Sequence, residues 1–232
     1  LALIGSKWVL GAAMVVFAAV VPFGARLPKT SIAQEPTPQD ERSDLRSAGI
    51  VLAASAMAIL RGMTGFTLFL VAFWLRREEA ATIWFGLMVA SSALGAFIGA
   101  ISAPQLRRLV KEEYLLGGVL TIAAVVGVFA TFPGDRTAVL AFVLAVGFAA
   151  GLGKLSFDAI VQRDAPTVNQ GRSFARFETR FQLFWVLGAL IPVTAPNGVL
   201  PLRAGLLILA LSSGSAAFLY LGGLIALARG KR

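Results

Sequence analysis

Arg61 interrupts the apolar run from Gly49 to Trp74, a stretch about long enough to cross a bilayer. A guanidinium near the middle of such a run costs about 2.5–3.5 kcal/mol on insertion scales, so it should face a bundle interior, a water-filled cavity or a partner. It lies about 21 Å along a helix at 1.5 Å per residue, too deep to snorkel to either surface without strain. The chemistry open to Arg61 is attraction of an anionic substrate group, or holding a carboxylate's pKa down until a proton is needed. The structural alternative is a fixed ion pair, or hydrogen bonds to the carbonyls of a broken helix. Gly62, Thr64 and Gly65 follow directly, so unwinding or close helix approach is expected at this level, and Thr64 joins Arg61 as a candidate substrate-pathway residue.

A second constellation is richer in charge. Lys154 and Asp158 stand four residues apart and share a helix face. Asp158 falls near a helix C-terminus, where negative charge is disfavoured, so it should seek a cation, with Arg163, Arg172 and Arg176 as candidates. Glu178 sits in the first turns of the next helix, flanked by Arg176 and Arg180. With Asp164, these residues read as a gate of charge pairs at one end of a bundle, formed when it closes and broken when it opens. The alternative is interfacial anchoring and exposed loop salt bridges, each under about 1 kcal/mol. Proton coupling through Asp158 or Glu178 is a weaker reading of the same residues.

Other chemistry is not advertised. The chain has no cysteine and no histidine, which removes thiolate and imidazole metal ligands and Cys or His catalysis. Carboxylates are not clustered at metal-ligand spacing, and no Gly-rich strand-to-helix phosphate loop occurs. Neither a cofactor nor an enzymatic activity is expected, ATP hydrolysis included.

The elements that must position these residues are helices in a membrane. The chain is 57% hydrophobic and 14% charged, with a mean hydropathy of +0.80; soluble domains carry about 25% charge. Seven apolar segments are predicted, at about 1–24, 47–75, 81–103, 114–132, 137–160, 174–194 and 202–228. Strict alternation over barrel-strand lengths is missing, so an all-α polytopic bundle is expected. Of the 21 lysines and arginines, fourteen fall on one side of the alternating segments and five on the other. That asymmetry predicts a cytoplasmic linker and C-terminus, accounts for the net charge of +9, and leaves little reason to invoke nucleic acid. The expected organisation is a single transmembrane helix over 1–25, a proline-containing cytoplasmic linker over 26–46, and a six-helix bundle over 47–232. The first segment lacks a cationic n-region and a small-residue cleavage site, so it does not read as a signal peptide, and the chain is expected to start inside a longer protein.

Small residues mark the expected helix contacts. Gly95 and Gly99, and likewise Gly147, Gly151 and Gly153, form faces that permit close approach. Phe174, Phe177, Phe181 and Phe184, with Trp185, recur at helical spacing and read as packing rather than as a substrate platform.

Two stretches resemble the major facilitator superfamily. Residues 99–108 are similar to a second copy of its loop motif: Gly99, Arg107 and Arg108 match, while Ala103 replaces the acid and Leu106 the second glycine. Residues 153–180 resemble the junction of the tenth and eleventh helices in actinobacterial members, including a Pro-to-Gly-Arg turn at Pro166, Gly171 and Arg172. The resemblance implies the sixth helix, the central loop and helices seven to twelve of such a fold, preceded by five further helices of an N-terminal half. It implies a carrier in a bacterial cell membrane that moves a small-molecule solute by alternating access, as an exporter or in exchange for a proton or ion, among membrane lipids. The competing expectation, of a different class, is a non-transporting scaffold or an accessory subunit of a membrane enzyme complex. The lining of the bundle separates them: a carrier places Arg61 beside a polar cavity, a scaffold seals it against a fixed partner.

Overall fold

A computed structural model describes residues 47–165, 170–194 and 200–229, together with Gly11, Met14, Val15, Ala18, Ala19 and Pro22. These last six are helical; the rest of the expected first helix and the linker at 26–46 lie outside the described residues. The chain divides into two compact units, Leu1–Thr37 and Pro38–Arg232. The second contains α1 (Ala48–Arg77), α2 (Thr82–Leu109), α3 (Glu112–Thr131), α4 (Arg136–Asp164), α5 (Gln170–Val193) and α6 (Leu202–Arg229). Strands do not occur among the described residues.

Five of these helices, all but α5, are long and apolar enough to cross a membrane. The protein is therefore an integral membrane helical bundle. The predicted segment at 174–194 does form a helix, but the first turns of α5 carry Arg172, Arg176, Glu178 and Arg180 and dilute its apolarity. Elsewhere the segments extend beyond prediction. α2 runs through Pro104 to Leu109 instead of stopping at 103. Proline leaves a carbonyl of the preceding turn without its N–H partner, which a packed membrane helix tolerates, and the Ser102 hydroxyl donates to the Gly99 carbonyl at 3.1 Å close by.

The connections are short and locally determined. After α1 the chain turns at Glu79, whose φ of 47° is left-handed, while the Ala80 N–H donates to the Leu75 carbonyl at 3.0 Å. Before α4, Gly134 takes φ 60°, and the Asp135 side chain accepts from the Ala138 N–H at 2.8 Å, capping the helix. The Arg136 guanidinium then lies 5.2 Å from the centroid of the Trp84 ring, joining the starts of α4 and α2.

Packing follows an internal pattern that inspection of the sequence does not reveal. α1 packs chiefly on α5 and α4 chiefly on α2; α3 packs on α6; α1 meets α6 as α4 meets α3. Exchanging the triplet α1–α3 with α4–α6 maps each of these contacts onto another or onto itself. With three helices per triplet and alternating directions, the second triplet runs opposite to the first, as in an inverted repeat.

Lipid tails are as apolar as leucine, so tight packing rather than hydrophobic expulsion must hold such helices together. Both main crossings use glycine. Between α2 and α4, a Cβ on Gly99 would fall 2.9 Å from the Leu152 nitrogen, and one on Gly151 3.0 Å from the Ala96 Cα. Between α1 and α5, a Cβ on Gly188 would fall 2.9 Å from the Gly62 Cα. Two buried clusters fill the remaining interior, one around Met57, Leu60, Leu120 and Phe157 and one around Phe66, Leu70, Phe142 and Leu206.

Candidate functional site

Arg61 is the fourteenth residue of the 30-residue α1. Helical side chains point back toward the N-terminus, and that direction carries the guanidinium toward Glu178 of α5, with Nη2 3.4 Å from Oε1. The same carboxylate oxygen accepts a 3.2 Å hydrogen bond from Gln182 Nε2, one turn further along α5. Within the chain the Arg61 and Glu178 side chains are 24% and 38% exposed, so the pair is neither sealed nor fully open. Arg61 Nε is buried without a hydrogen-bond partner. The Thr64 hydroxyl donates to the Arg61 carbonyl at 2.7 Å, which commits its proton to α1 and leaves only its lone pairs for a ligand.

Among the described residues the expected gate does not assemble as one unit; those of its members that form ion pairs fall into three groups. Asp158 is held by Lys154 of its own helix, with Nζ at 2.6 and 2.7 Å from its two oxygens, and Lys154 Nζ also sits 5.6 Å from the Phe174 ring. Arg163 does not reach Asp158. It pairs with Asp164 at 2.7 Å and, across the helix ends, with Glu112 at 3.1 Å and with Glu113. Arg107 reaches Glu112 at 3.5 Å, so one of the two loop-motif arginines joins this group, and no ion pair of Arg108 occurs among the described residues. The third group is Arg61 with Glu178. Arg176 and Arg180 do not pair with Glu178 although they flank it in sequence, because residues two apart on a helix point about 200° apart. The Arg172 side chain lies outside the described residues.

Glu112, Glu113 and Gln182 are the residues sequence reasoning missed. Glu112 and Glu113 occupy the first turn of α3, where the helix dipole favours anions. That position was legible. Gln182 was visible only as the i+4 neighbour of Glu178.

Two grooves adjoin these groups. One, of about 590 Å³, runs along α1 and α5 between Val51, Ser55 and Ile59 on one side and Arg176, Arg180 and Phe184 on the other. Arg61 and Glu178 are not in its lining, because Ile59 and Arg61 are themselves about 200° apart on α1. The other, of about 630 Å³, lies where α1 and α3 begin and α4 and α6 end, and includes Glu113, Arg163 and Asp164. The phenylalanine stripe packs as expected at two positions: Phe177 and Phe181 meet Phe157 edge-on, with centroids 5.1 and 5.2 Å apart. Phe184 is exposed. Among the described residues no group of carboxylates is placed to hold a metal ion.

Fold and site together define a helical membrane protein with a charge pair between two of its helices. The chain is similar to the uncharacterized protein ML2143 of Mycobacterium leprae (strain TN), with 28% identity over 139 residues, covering 58% of this chain. It spans about a quarter of that relative's length, 24%. No family model matches the chain, and no solved structure matches it.

Proposed function

We propose that the chain is the C-terminal six-helix half of a secondary transporter of major-facilitator type, which moves a small-molecule solute across the bacterial cell membrane by alternating access. In this reading the linker and C-terminus are cytoplasmic, an N-terminal half of the same protein completes the pathway, and the chain performs no covalent chemistry of its own. The observation that carries it is the Arg61–Glu178 pair. Two opposite charges meet at 3.4 Å between α1 and α5 and both remain partly exposed, an arrangement that a purely structural fastening does not need. The exchange relation between the triplets supports the same reading, since inverted repeats commonly place the substrate site between them at mid-membrane. So does the open surface of α2, on which only Met88, Gly95, Gly99 and Ala103 are buried; its counterpart α5 exposes Leu183, Leu187 and Leu190. Two equivalent helices with free apolar faces suit a second half-bundle.

Glu178 holds Arg61 in the resting pair, and an anionic substrate group, or protonation of the carboxylate, would release it. The test uses the lack of native cysteine. Thr64→Cys or Gln182→Cys in the full-length protein should react with a charged, membrane-impermeant thiol reagent from at least one side of the membrane. If neither position reacts from either side, no hydrated path reaches the pair and the carrier reading fails in favour of a static scaffold.

A further inference from the structure

The groove along α1 and α5 sets two arginines beside apolar side chains. Arg176 and Arg180 are one turn apart on α5 and therefore share a face. Among the described residues neither forms an ion pair, and the nearest carboxylate in sequence, Glu178, is turned away to Arg61 and Gln182. The Ser55 hydroxyl is spent on the Val51 carbonyl at 2.9 Å. Around the arginines the groove offers accessible apolar side chains: on α1 Val51 is 49% exposed and Ile59 36%, and on α5 Phe184 is 45% exposed.

We propose that this groove binds an anionic phospholipid of the surrounding bilayer, with the phosphate between Arg176 and Arg180 and the acyl chains along Val51, Ile59 and Phe184. The charge argument comes first. Two guanidiniums on one face offer forked donors matched to phosphate oxygens, and leaving both without a counter-anion beside hydrocarbon is unfavourable. The shape agrees: from Val51 to Ile59 the wall runs about 12 Å, enough for a glycerophosphate and the start of its chains. The level agrees as well. Val51 is the fourth residue of α1 and Arg176 the seventh of α5, with Arg180 one turn further in, so the two arginines lie in the half of the bundle toward one membrane surface, the cytoplasmic one in the orientation proposed above. Basic pockets between helices at that surface are where anionic headgroups bind. The site stands on its own geometry and does not require the transport reading.

The experiment places the full-length protein in phosphatidylcholine nanodiscs with increasing phosphatidylglycerol and follows the melting temperature. Wild type should be stabilised as the anionic lipid rises, and the double variant Arg176→Gln/Arg180→Gln should need about thirtyfold more of it for the same shift, at roughly tenfold or less per arginine. Arg203→Gln, at the far end of the bundle, should respond as wild type does. An identical response in the double variant overturns the site. So does an equal shift produced by inorganic phosphate in phosphatidylcholine alone, which would make the occupant a soluble anion. Should the double variant fail to fold, a bimane on Ile59→Cys decides: brominated phosphatidylglycerol must quench it more strongly than brominated phosphatidylcholine at the same mole fraction. Equal quenching, or none because another part of the protein covers the groove, refutes the proposal.

Discussion

The α2–α4 and α1–α5 crossings occupy equivalent positions in the two triplets, but they differ in what they hold. At α2–α4, Gly95, Gly99, Gly147 and Gly151 bring backbones together over successive turns; among the described residues the side-chain hydrogen bond between the two helices is the Ser91 hydroxyl donating to the Leu140 carbonyl at 3.0 Å, with Arg136 over Trp84 at one end. At α1–α5, Gly62, Gly65 and Gly188 make the close approach, Phe69 meets Trp185 edge-on at 6.1 Å, and the Arg61–Glu178 pair lies beside it. Small residues alone make a seam with nothing in it to exchange. A seam with a charge pair contains an interaction that water, a proton or an anionic group can replace. The difference locates adaptability at α1–α5 and rigidity at α2–α4.

The largest expected effect tests the rigidity directly. Gly99→Ala and Gly147→Ala each push a methyl group into the backbone of the facing helix, which cannot move aside as a side chain would, so each should destabilise by about 1–3 kcal/mol. Gly62→Ala meets only the Phe184 carbonyl, at 3.3 Å, and should cost less than about 1 kcal/mol because a shift of a few tenths of an ångström relieves it. Thermal melting of the full-length protein in detergent measures all three. Gly65 and Gly188 meet facing backbone as closely as Gly99 and Gly147 do, so a small loss at Gly62 would place the give of α1–α5 at that one level, and equal losses at all three positions would mean that the contrast between the seams is only one of charge.

Next in size is the pair itself. Glu178→Gln leaves Arg61 half-buried without its counter-charge, and because both groups retain some exposure the penalty should be about 1–2 kcal/mol rather than the 3–5 of a fully buried pair. A double-mutant cycle with Arg61→Gln isolates the interaction, with an expected coupling of about 1 kcal/mol. A coupling indistinguishable from zero would show that the two charges are merely neighbours, and the adaptable seam would lose its content.

How much of this was readable before the structure depends on how far apart the interacting residues lie in sequence. The helices, the glycine faces and the need of Arg61 for a partner followed from composition and spacing, because each is set within a few residues. The identity of the partner did not. Glu178 lies 117 residues away, on a helix brought to α1 by the exchange relation between the triplets, and nothing local to either residue encodes that pairing. Arg176 and Arg180 were drawn into the gate by adjacency to Glu178 along the chain, when helix geometry turns residues two apart to different sides. α2 was cut short at Pro104 because a proline usually ends a helix in water, whereas in a packed bundle the helix continues. The link between Arg163 and Glu112 and Glu113 had a signal in the first turn of α3, but knowing which helix end lay nearby required the fold.

The smallest expected effect compares the pair across α1–α5 with a pair of the same chemistry confined to one helix. Lys154 and Asp158 approach more closely, at 2.6 Å against 3.4 Å, so distance alone would rank them as the stronger. Both residues belong to α4, however, and their contact ties one turn to the next without joining any helix to another. Lys154→Met should therefore cost only about 0.3–0.5 kcal/mol, typical of an i,i+4 pair. The same substitution should leave the Arg61–Glu178 coupling unchanged, since α4 need not move to accommodate it. If Lys154→Met instead lowers the melting temperature as much as Glu178→Gln does, then Lys154, through Phe174, is fastening α4 to α5, and the charge that matters to the adaptable seam extends beyond α1–α5.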